Sequence, residues 1–312
     1  MSPLKVLRSM LFVPANNWRL IQSSREENPD AIILDLEDSV PMEDKETARW
    51  FLKDAIKLLK DVGHNIVIRV NGLATGLTKD DLEFAILEGV DAIMLPKSES
   101  KDDILKLEEL IKNEEDRKGL TGIGIIPLIE SAKGVLNVDQ IVSASERVIA
   151  VGFGAADYLR DFGRSYFSLS PDQYELLYPR SRLALAARVA GIPAIDTPFL
   201  GLIIDKEGLI KESKIALNLG FKGKMCIHPT HIEPINQVFS PSEKEVNTAK
   251  KIIEAYEEAK ARGLGAASVE GRMIDEATYK MAKEILLFYE IITKKDIRRN
   301  KPNTNCNKVT VT

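Results

Sequence analysis

Short runs of β-branched and aliphatic residues alternate with amphipathic stretches along most of this chain. Strands are predicted at 10–13, 31–36, 66–70, 92–95, 122–129, 148–153, 192–195 and 224–227. Helical patterns fall between them, at 47–61, 79–87, 104–112, 181–189 and 211–219; in the first of these Ile56, Leu59 and Val62 recur at helical spacing. Gly63, Gly89, Gly119, Gly191 and Gly220 follow five of the helices, where a left-handed C-cap is wanted. Strand–helix alternation implies a parallel sheet, because parallel neighbours need a crossover. Eight such units favour closure into a (β/α)8 TIM barrel over an open doubly wound sheet.

The pattern changes after the eighth unit. A long charged helix is predicted over 242–262, followed by a connection punctuated by Gly263, Gly265 and Gly271. Met273, Ile274 and Asp275 then lead into a last helix at 277–292. The expected organisation is a barrel with a catalytic face over 1–240, a C-terminal helical extension and lid over 241–293, and a disordered tail over 294–312. The tail is polar, basic and without periodicity.

Most predicted strands run into a charged or polar residue. The second leads into Asp35, Glu37 and Asp38, the third into Arg69 and Asn71, and the fourth into Lys97. The fifth ends in Glu130, the sixth precedes Asp157, the seventh ends in Asp196 and the eighth in His228. In a barrel these ends converge on one face, where the active sites of this fold lie. A charge buried there costs several kcal/mol unless paired, so a ring of them calls for counter-charges, a metal or a ligand.

Composition narrows the class. The 312 residues are 44% hydrophobic and 29% charged, with a formal net charge of −4, which offers no general attraction for nucleic acid or anionic lipid. No apolar run is long enough to span a bilayer, and the amino terminus lacks a signal-peptide pattern. Cys226 and Cys306 are too few for a disulfide framework or a cysteine metal cage, so a reduced, cytoplasmic setting is expected.

Glu130 and Asp157 end neighbouring strands, which lie about 5 Å apart, so both carboxylates can reach one cation. Two hard oxygen donors without a His or Cys cluster select Mg²⁺, which keeps much of its octahedron for water and substrate. Equally, each carboxylate can cap the helix that follows it. Arg69 can pair with Asp35 or Glu37, bind a substrate carboxylate, or steady a developing enolate. Asp275 can be a helix N-cap before Glu276 and Ala277. Arg8, at the start of its strand, is read as structural, His228 as a strand-end hydrogen-bonding residue, His64 as a loop residue and Cys226 as a small buried hydrophobe.

A set of short motifs then resembles one known family, the citrate lyase β-subunit-like members of the HpcH/HpaI aldolase superfamily. The segments are Arg8-Ser9-Met10-Leu11-Phe12-Val13-Pro14, Leu34-Asp35-Leu36-Glu37-Asp38-Ser39-Val40, Ile68-Arg69-Val70-Asn71 and Leu95-Pro96-Lys97. Later come Ile129-Glu130-Ser131-Ala132-Lys133-Gly134, Gly154-Ala155-Ala156-Asp157, Ile227-His228-Pro229 and Gly271-Arg272-Met273-Ile274-Asp275. Each is weak alone, but together they run in order through nearly the whole chain.

The resemblance implies a (β/α)8 barrel in a homotrimer or homohexamer, Mg²⁺ on Glu130 and Asp157, and Arg69 on the substrate. It implies reversible Claisen-type cleavage of a CoA thioester such as citramalyl-, malyl- or citryl-CoA, giving a 2-oxo acid. Asp275 would act as acid/base from the C-terminal lid of an adjoining subunit. The chain departs from the family pattern where CoA phosphates are usually met: the loop after the first strand reads Ala15 and Asn17, with Ser23 further on. Arg19 or Arg25 can substitute there, or be solvated helix charges. The acidic residue usual before the metal aspartate is Ala156 here. Other readings are the β-subunit of a multi-protein citrate lyase whose thioester rides on an acyl carrier, a malyl-CoA thioesterase, and a non-catalytic metabolite-binding scaffold. A dinucleotide site at Gly152 and Gly154 lacks the third glycine and the downstream ribose acid.

Overall fold

The computed structural model describes residues 6–165, 167, 169–170 and 172–299. Two compact units divide the chain, Met1–Phe239 and Ser240–Thr312. Eight strands build the first: β1 (Ser9–Pro14), β2 (Ala31–Asp35), β3 (Ile66–Arg69), β4 (Ala92–Leu95), β5 (Gly124–Ile129), β6 (Val151–Phe153), β7 (Ala194–Asp196) and β8 (Gly223–Cys226). They pair in sequence order, all parallel, and β8 returns to β1 with Met10 opposite Met225, closing the barrel. At that seam a Cβ on Gly223 would lie 1.7 Å from the Leu7 carbonyl oxygen, so only glycine fits.

The helices wrap the barrel: α1 (Trp18–Ser24), α2 (Lys45–Lys60), α3 (Thr78–Ala85), α4 (Lys101–Lys118), α5 (Ala132–Val142), α6 (Ala155–Asp161), α7 (Tyr174–Ala190), α8 (Lys206–Leu219) and α9 (Ile232–Val238). Local chemistry sets their limits. Helix α4 is longer than its apolar pattern predicts because Ser100 and Asp103 form a capping box at its start and Gly119 turns left-handed at its end. Helix α7 starts at Tyr174, ahead of the predicted 181, and accommodates Pro179 inside it, a residue that reads as a breaker in sequence.

Alternation along the strands sorts the core into two. Met10, Ile33, Val67, Met94, Leu128, Ile195 and Met225 fill the barrel interior, while Leu34, Ile68, Ile93, Ile129 and Val151 face Leu52, Leu107, Val138 and Leu183 on the helices. Each fully buried aliphatic side chain contributes about 1.5–3 kcal/mol. Stepping two residues on from Ile33, Val67 and Leu128 reaches Asp35, Arg69 and Glu130, which therefore extend the interior column into the barrel mouth.

Asp196 obeys the same alternation with the opposite result. It follows the inward Ile195, so its side chain enters the layer between sheet and helices and does not join the ring of charges expected from the strand ends. There it binds Arg180 of α7 (Nε–Oδ1, 2.9 Å) and Lys224 of β8 (Nζ–Oδ2, 2.7 Å), and Lys224 also binds Glu212 of α8 at 2.5 Å. Two cations and two carboxylates thus balance inside the layer. Arg8, at the other end of its strand from Pro14, forms a buried ion pair with Asp30 at 2.9 Å, the structural role expected of it.

The second unit pairs α10 (Glu243–Ala261) with α11 (Glu276–Arg299), joined by a hairpin of β9 (Ala267–Val269) and β10 (Arg272–Ile274). Glu270 and Gly271 both have positive φ in its two-residue turn, as a primed turn requires. Tyr256 and Tyr279 stack with centroids 4.7 Å apart. Helix α11 continues past 294, where loss of structure was expected, and the rest of the expected disordered tail, 300–312, lies outside the described residues. No helix among the described residues is long and apolar enough to cross a membrane.

Candidate active site

The mouth of the barrel is organised around Arg69. Asp35 lies opposite it in the β2–β3 register and accepts from one guanidinium edge through two bonds, Nε at 2.6 Å and Nη2 at 2.7 Å. Glu37 Oε2 lies 3.1 Å from Nη1, and the guanidinium carbon sits over the Phe12 ring, 4.7 Å from its centroid. The loop after β2 bends back so that the N–H groups of Glu37 and Ser39 also donate to Asp35. Burial opposes ionisation of Asp35, but Arg69 and these donors outweigh it and hold its carboxyl below the usual range. Burial pushes Glu37 up, against the pull of Arg69 and Lys97.

Lys45, which no sequence feature distinguished from other helix lysines, is buried and donates its ammonium to the carbonyls of Leu36 (2.6 Å) and Glu37 (2.7 Å). It pins the acidic loop from behind. Lys97 joins both sides of the mouth. Its backbone is left-handed, with φ of 51°, so its N–H reaches Glu130 Oε1 at 2.7 Å while its ammonium reaches Glu37 Oε1 at 2.6 Å. A left-handed lysine is a strained residue, tolerated where the surroundings over-determine it.

Glu130 does not cap α5. Ser131 does so, accepting from the N–H of Gly134 at 3.1 Å, which leaves Glu130 facing the mouth. Burial, then repulsion from Glu37 and Asp157, raises its carboxyl to about 8. Asp157 stands in the first turn of α6 and pairs with Arg160 at 2.8 Å. Thr197, just past β7, accepts from the Ala155 N–H at 3.1 Å and so fixes the start of the helix that carries Asp157. No sequence signal marked Thr197. Between the two carboxylates, Gly154 leaves necessary room: a Cβ there would lie 2.6 Å from Glu130 Oε2 and 2.8 Å from its Cβ.

Arg69, Glu130, Asp157 and Thr197 line one cavity of about 880 Å³, whose other walls include Leu128, Phe199, Met225 and Ile227. Among the described residues no group of three His, Cys, Asp or Glu side chains forms a complete metal cage. Two carboxylates are nevertheless a sufficient protein contribution for magnesium, which takes its remaining positions from water and substrate. The residues fit such an ion. Glu130 offers an oxygen toward the cavity beyond the one bound to Lys97, and the mutual repulsion of Glu37, Glu130 and Asp157 is relieved by a divalent cation.

Other expected residues fall elsewhere. Arg19 is exposed on α1 and is not among the cavity-lining residues; Arg25 is half-buried at the C-terminal end of that helix. Asp275 belongs to the second unit, where it caps α11 by accepting from the N–H and hydroxyl of Thr278, at 2.9 and 2.8 Å. These bonds hold its carboxyl below the usual range. His228 caps the short helical turn Pro229–His231 through Thr230, and His64 is a loop residue, buried, with Nε2 3.1 Å from the Arg25 carbonyl. Cys226 is buried, and burial pushes its thiol up to about 12.

Comparison with known proteins points one way. The family model described as HpcH/HpaI aldolase/citrate lyase matches residues 8–229. A citrate lyase subunit beta from Leuconostoc mesenteroides subsp. cremoris is 38% identical over 284 residues, covering 90% of this chain and 93% of that protein. An L-malyl-CoA/beta-methylmalyl-CoA lyase from Cereibacter sphaeroides is 33% identical over 309 residues, covering 93% of this chain and 97% of that one. Among solved structures, CitE from Mycobacterium tuberculosis in complex with magnesium, acetoacetate and coenzyme A matches with a TM-score of 0.71 and 28% identity, over 90% of this chain and 97% of that one.

Proposed function

This chain belongs to the HpcH/HpaI aldolase/citrate lyase family, and from that membership we propose that it is a magnesium-dependent carbon–carbon lyase. Its substrate is a 3-hydroxyacyl-CoA thioester such as citramalyl-, malyl- or citryl-CoA, cleaved to a 2-oxo acid and acetyl-CoA, or formed from them. The observation that carries this reading is that Glu130, at the end of β5, and Asp157, in the helix that follows the adjacent β6, line one cavity with Arg69. Magnesium in the neighbour from M. tuberculosis supports it.

In this reading Glu130 and Asp157 would hold the ion, which would supply Lewis acidity to the acyl group. Asp35 and Glu37 hold the Arg69 guanidinium over Phe12, so that it meets the charge developing on the thioester oxygen without reorganising. Asp275 acts as acid/base at the departing carbon, delivering there the proton that leaves the substrate hydroxyl as the C–C bond breaks; in the condensing direction it takes a proton from the methyl group of acetyl-CoA and the new hydroxyl gains it. It does so from the C-terminal lid of an adjoining subunit in a homotrimer or homohexamer, in a cytoplasmic setting.

The resemblance to a citrate lyase subunit beta favours one second reading, in which the thioester is carried by an acyl-carrier partner. One experiment separates them. The purified chain is given citramalyl-, malyl-, methylmalyl- and citryl-CoA, and in parallel the same acyl groups on an acyl-carrier protein, with Mg²⁺, and the 2-oxo acid is measured. Turnover of a free CoA ester, lost on chelation of the metal, supports the stand-alone lyase; turnover only of an acyl-carrier thioester selects the second reading; no 2-oxo acid from either rejects both.

A further inference from the structure

Charge is unevenly distributed around the cavity. Among the described residues Arg69 is the one cationic side chain that lines it, and Arg69 already faces Asp35 and Glu37. Four carboxylates line the same cavity: Asp38, Glu130, Asp157 and Asp205. Its neutral side-chain donors are largely committed to other partners. Ser170 donates its hydroxyl to Glu175 at 2.7 Å, and Gln173 directs its amide nitrogen to Glu212 at 2.6 Å. Thr197, which accepts from the Ala155 N–H, keeps one hydroxyl hydrogen to offer.

The floor of the cavity is apolar. Phe12, Leu128 and Met225 line it from β1, β5 and β8, on the strand faces that point into the barrel. Leu128 and Met225 are buried, and their tips converge over Gly152 of β6: a Cβ there would lie 2.9 Å from Leu128 Cδ1 and 3.6 Å from Met225 Cε. The glycine lets these two side chains close the bottom of the cavity. They present hydrocarbon and a thioether, which offer a charged group no hydrogen-bond donor.

The choice of acyl group follows from that floor, and rests on the lyase reading above. The hydroxyl-bearing carbon of such a group has four substituents. Its hydroxyl and carboxylate go to the charged side of the cavity, at Glu130 and Asp157, and its thioester arm goes to Arg69 and out through the mouth. The fourth substituent is left to the floor. It is hydrogen in malyl, methyl in citramalyl and carboxymethyl in citryl thioesters. A carboxymethyl group would press a second carboxylate onto Leu128 and Met225, with no cation to meet it. We infer that the site takes acyl groups with hydrogen or methyl at this position, so that its 2-oxo acid carries a single carboxylate, and that Leu128 and Met225 are the residues that exclude a second.

Calorimetric titration of the full chain in Mg²⁺ tests this, with pyruvate and freshly dissolved oxaloacetate as the two ligands, so that binding is read without turnover. Pyruvate should bind at least about 100-fold more tightly, the effect of burying an unpaired carboxylate. Ile227→Arg supplies the missing cation. Ile227 lies two residues on from Met225, lines the cavity and is 56% exposed, so the fold accommodates the change, with circular dichroism as the check. In that variant the affinity for oxaloacetate relative to pyruvate should rise by about 10-fold or more. A preference for pyruvate below about 10-fold, or a folded Ile227→Arg protein with the parental ratio, would overturn this inference and leave the lyase reading standing. Failure of both oxo acids to bind would overturn the two together.

Discussion

Asp35 and Arg69 face one another in register across the first pair of acidic and basic strand ends, and the carboxylate meets the guanidinium through two parallel bonds of 2.6 and 2.7 Å. The pairing occupies one edge of the guanidinium, and Glu37 lies 3.1 Å from the third nitrogen. Pairing with acids and acting on substrate are compatible sequence readings for Arg69, with the acids orienting it; in the fold Asp35 and Glu37 do pair with it, and its guanidinium carbon lies over the Phe12 ring.

Lysine cannot replace that geometry. Arg69→Lys keeps the charge but offers a point donor where a planar fork spans two carboxylates. Turnover should fall about 10²–10³-fold, with a melting temperature near that of the parent. Steady-state kinetics and a thermal melt decide it; unchanged kcat removes Arg69 from the chemistry.

Gly154→Ala should push Glu130 out of place, since the new methyl would approach its Cβ at 2.8 Å. Mg²⁺ affinity should weaken by about 10–100-fold, as for loss of a supporting group around a metal. Isothermal titration with Mg²⁺ reads this directly, and parental affinity would contradict the placement of Glu130 as a ligand.

Metal-free protein should lose stability as pH rises. Glu130 holds its proton in the folded state up to about 8, while its ordinary value is 4.5. Between those values the folded chain binds a proton that the unfolded chain has released, so raising the pH favours unfolding. Denaturant midpoints measured in chelator across that window should decline, and Glu130→Gln should flatten the decline. A slope identical in the two proteins would count against it.

Asp275 can be separated from its cap. Asparagine caps a helix as well as aspartate does, so Asp275→Asn should preserve the melting temperature while abolishing most turnover, whereas Asp275→Ala should also lower the melting temperature slightly. If Asp275→Asn turns over at the parental rate, the residue is a cap and nothing more.

Lys224→Met should unfold the barrel readily. It leaves Asp196 and Glu212 buried with Arg180 alone, and stranding a buried charge costs about 3–5 kcal/mol. Urea denaturation measures the loss; a cost below about 1 kcal/mol would mean the cluster is hydrated.

Much of this protein is legible in its sequence, because the barrel follows from periodicities. Eight β-branched runs with helices between them give the strand count and the parallel sheet and favour its closure, and the motif order places Glu130 at one strand end and Asp157 just beyond the next. Helix ends were less legible, since Pro179 and the capping box at Ser100 act locally against the apolar pattern.

Only the tertiary structure decided which charges belong to the mouth. Asp196 and Glu130 look alike at strand ends, yet one-residue parity sends the first into the helix layer, where Arg180 and Lys224 await it, and the second into the cavity. Lys45 and Thr197 support the site through bonds to backbone atoms of other segments, which no residue pattern encodes. A sequence carries periodicity, so it specifies elements and their order. The cost of burying a charge depends on what surrounds it in three dimensions, so the roles of the charges are settled only when the chain has closed on itself.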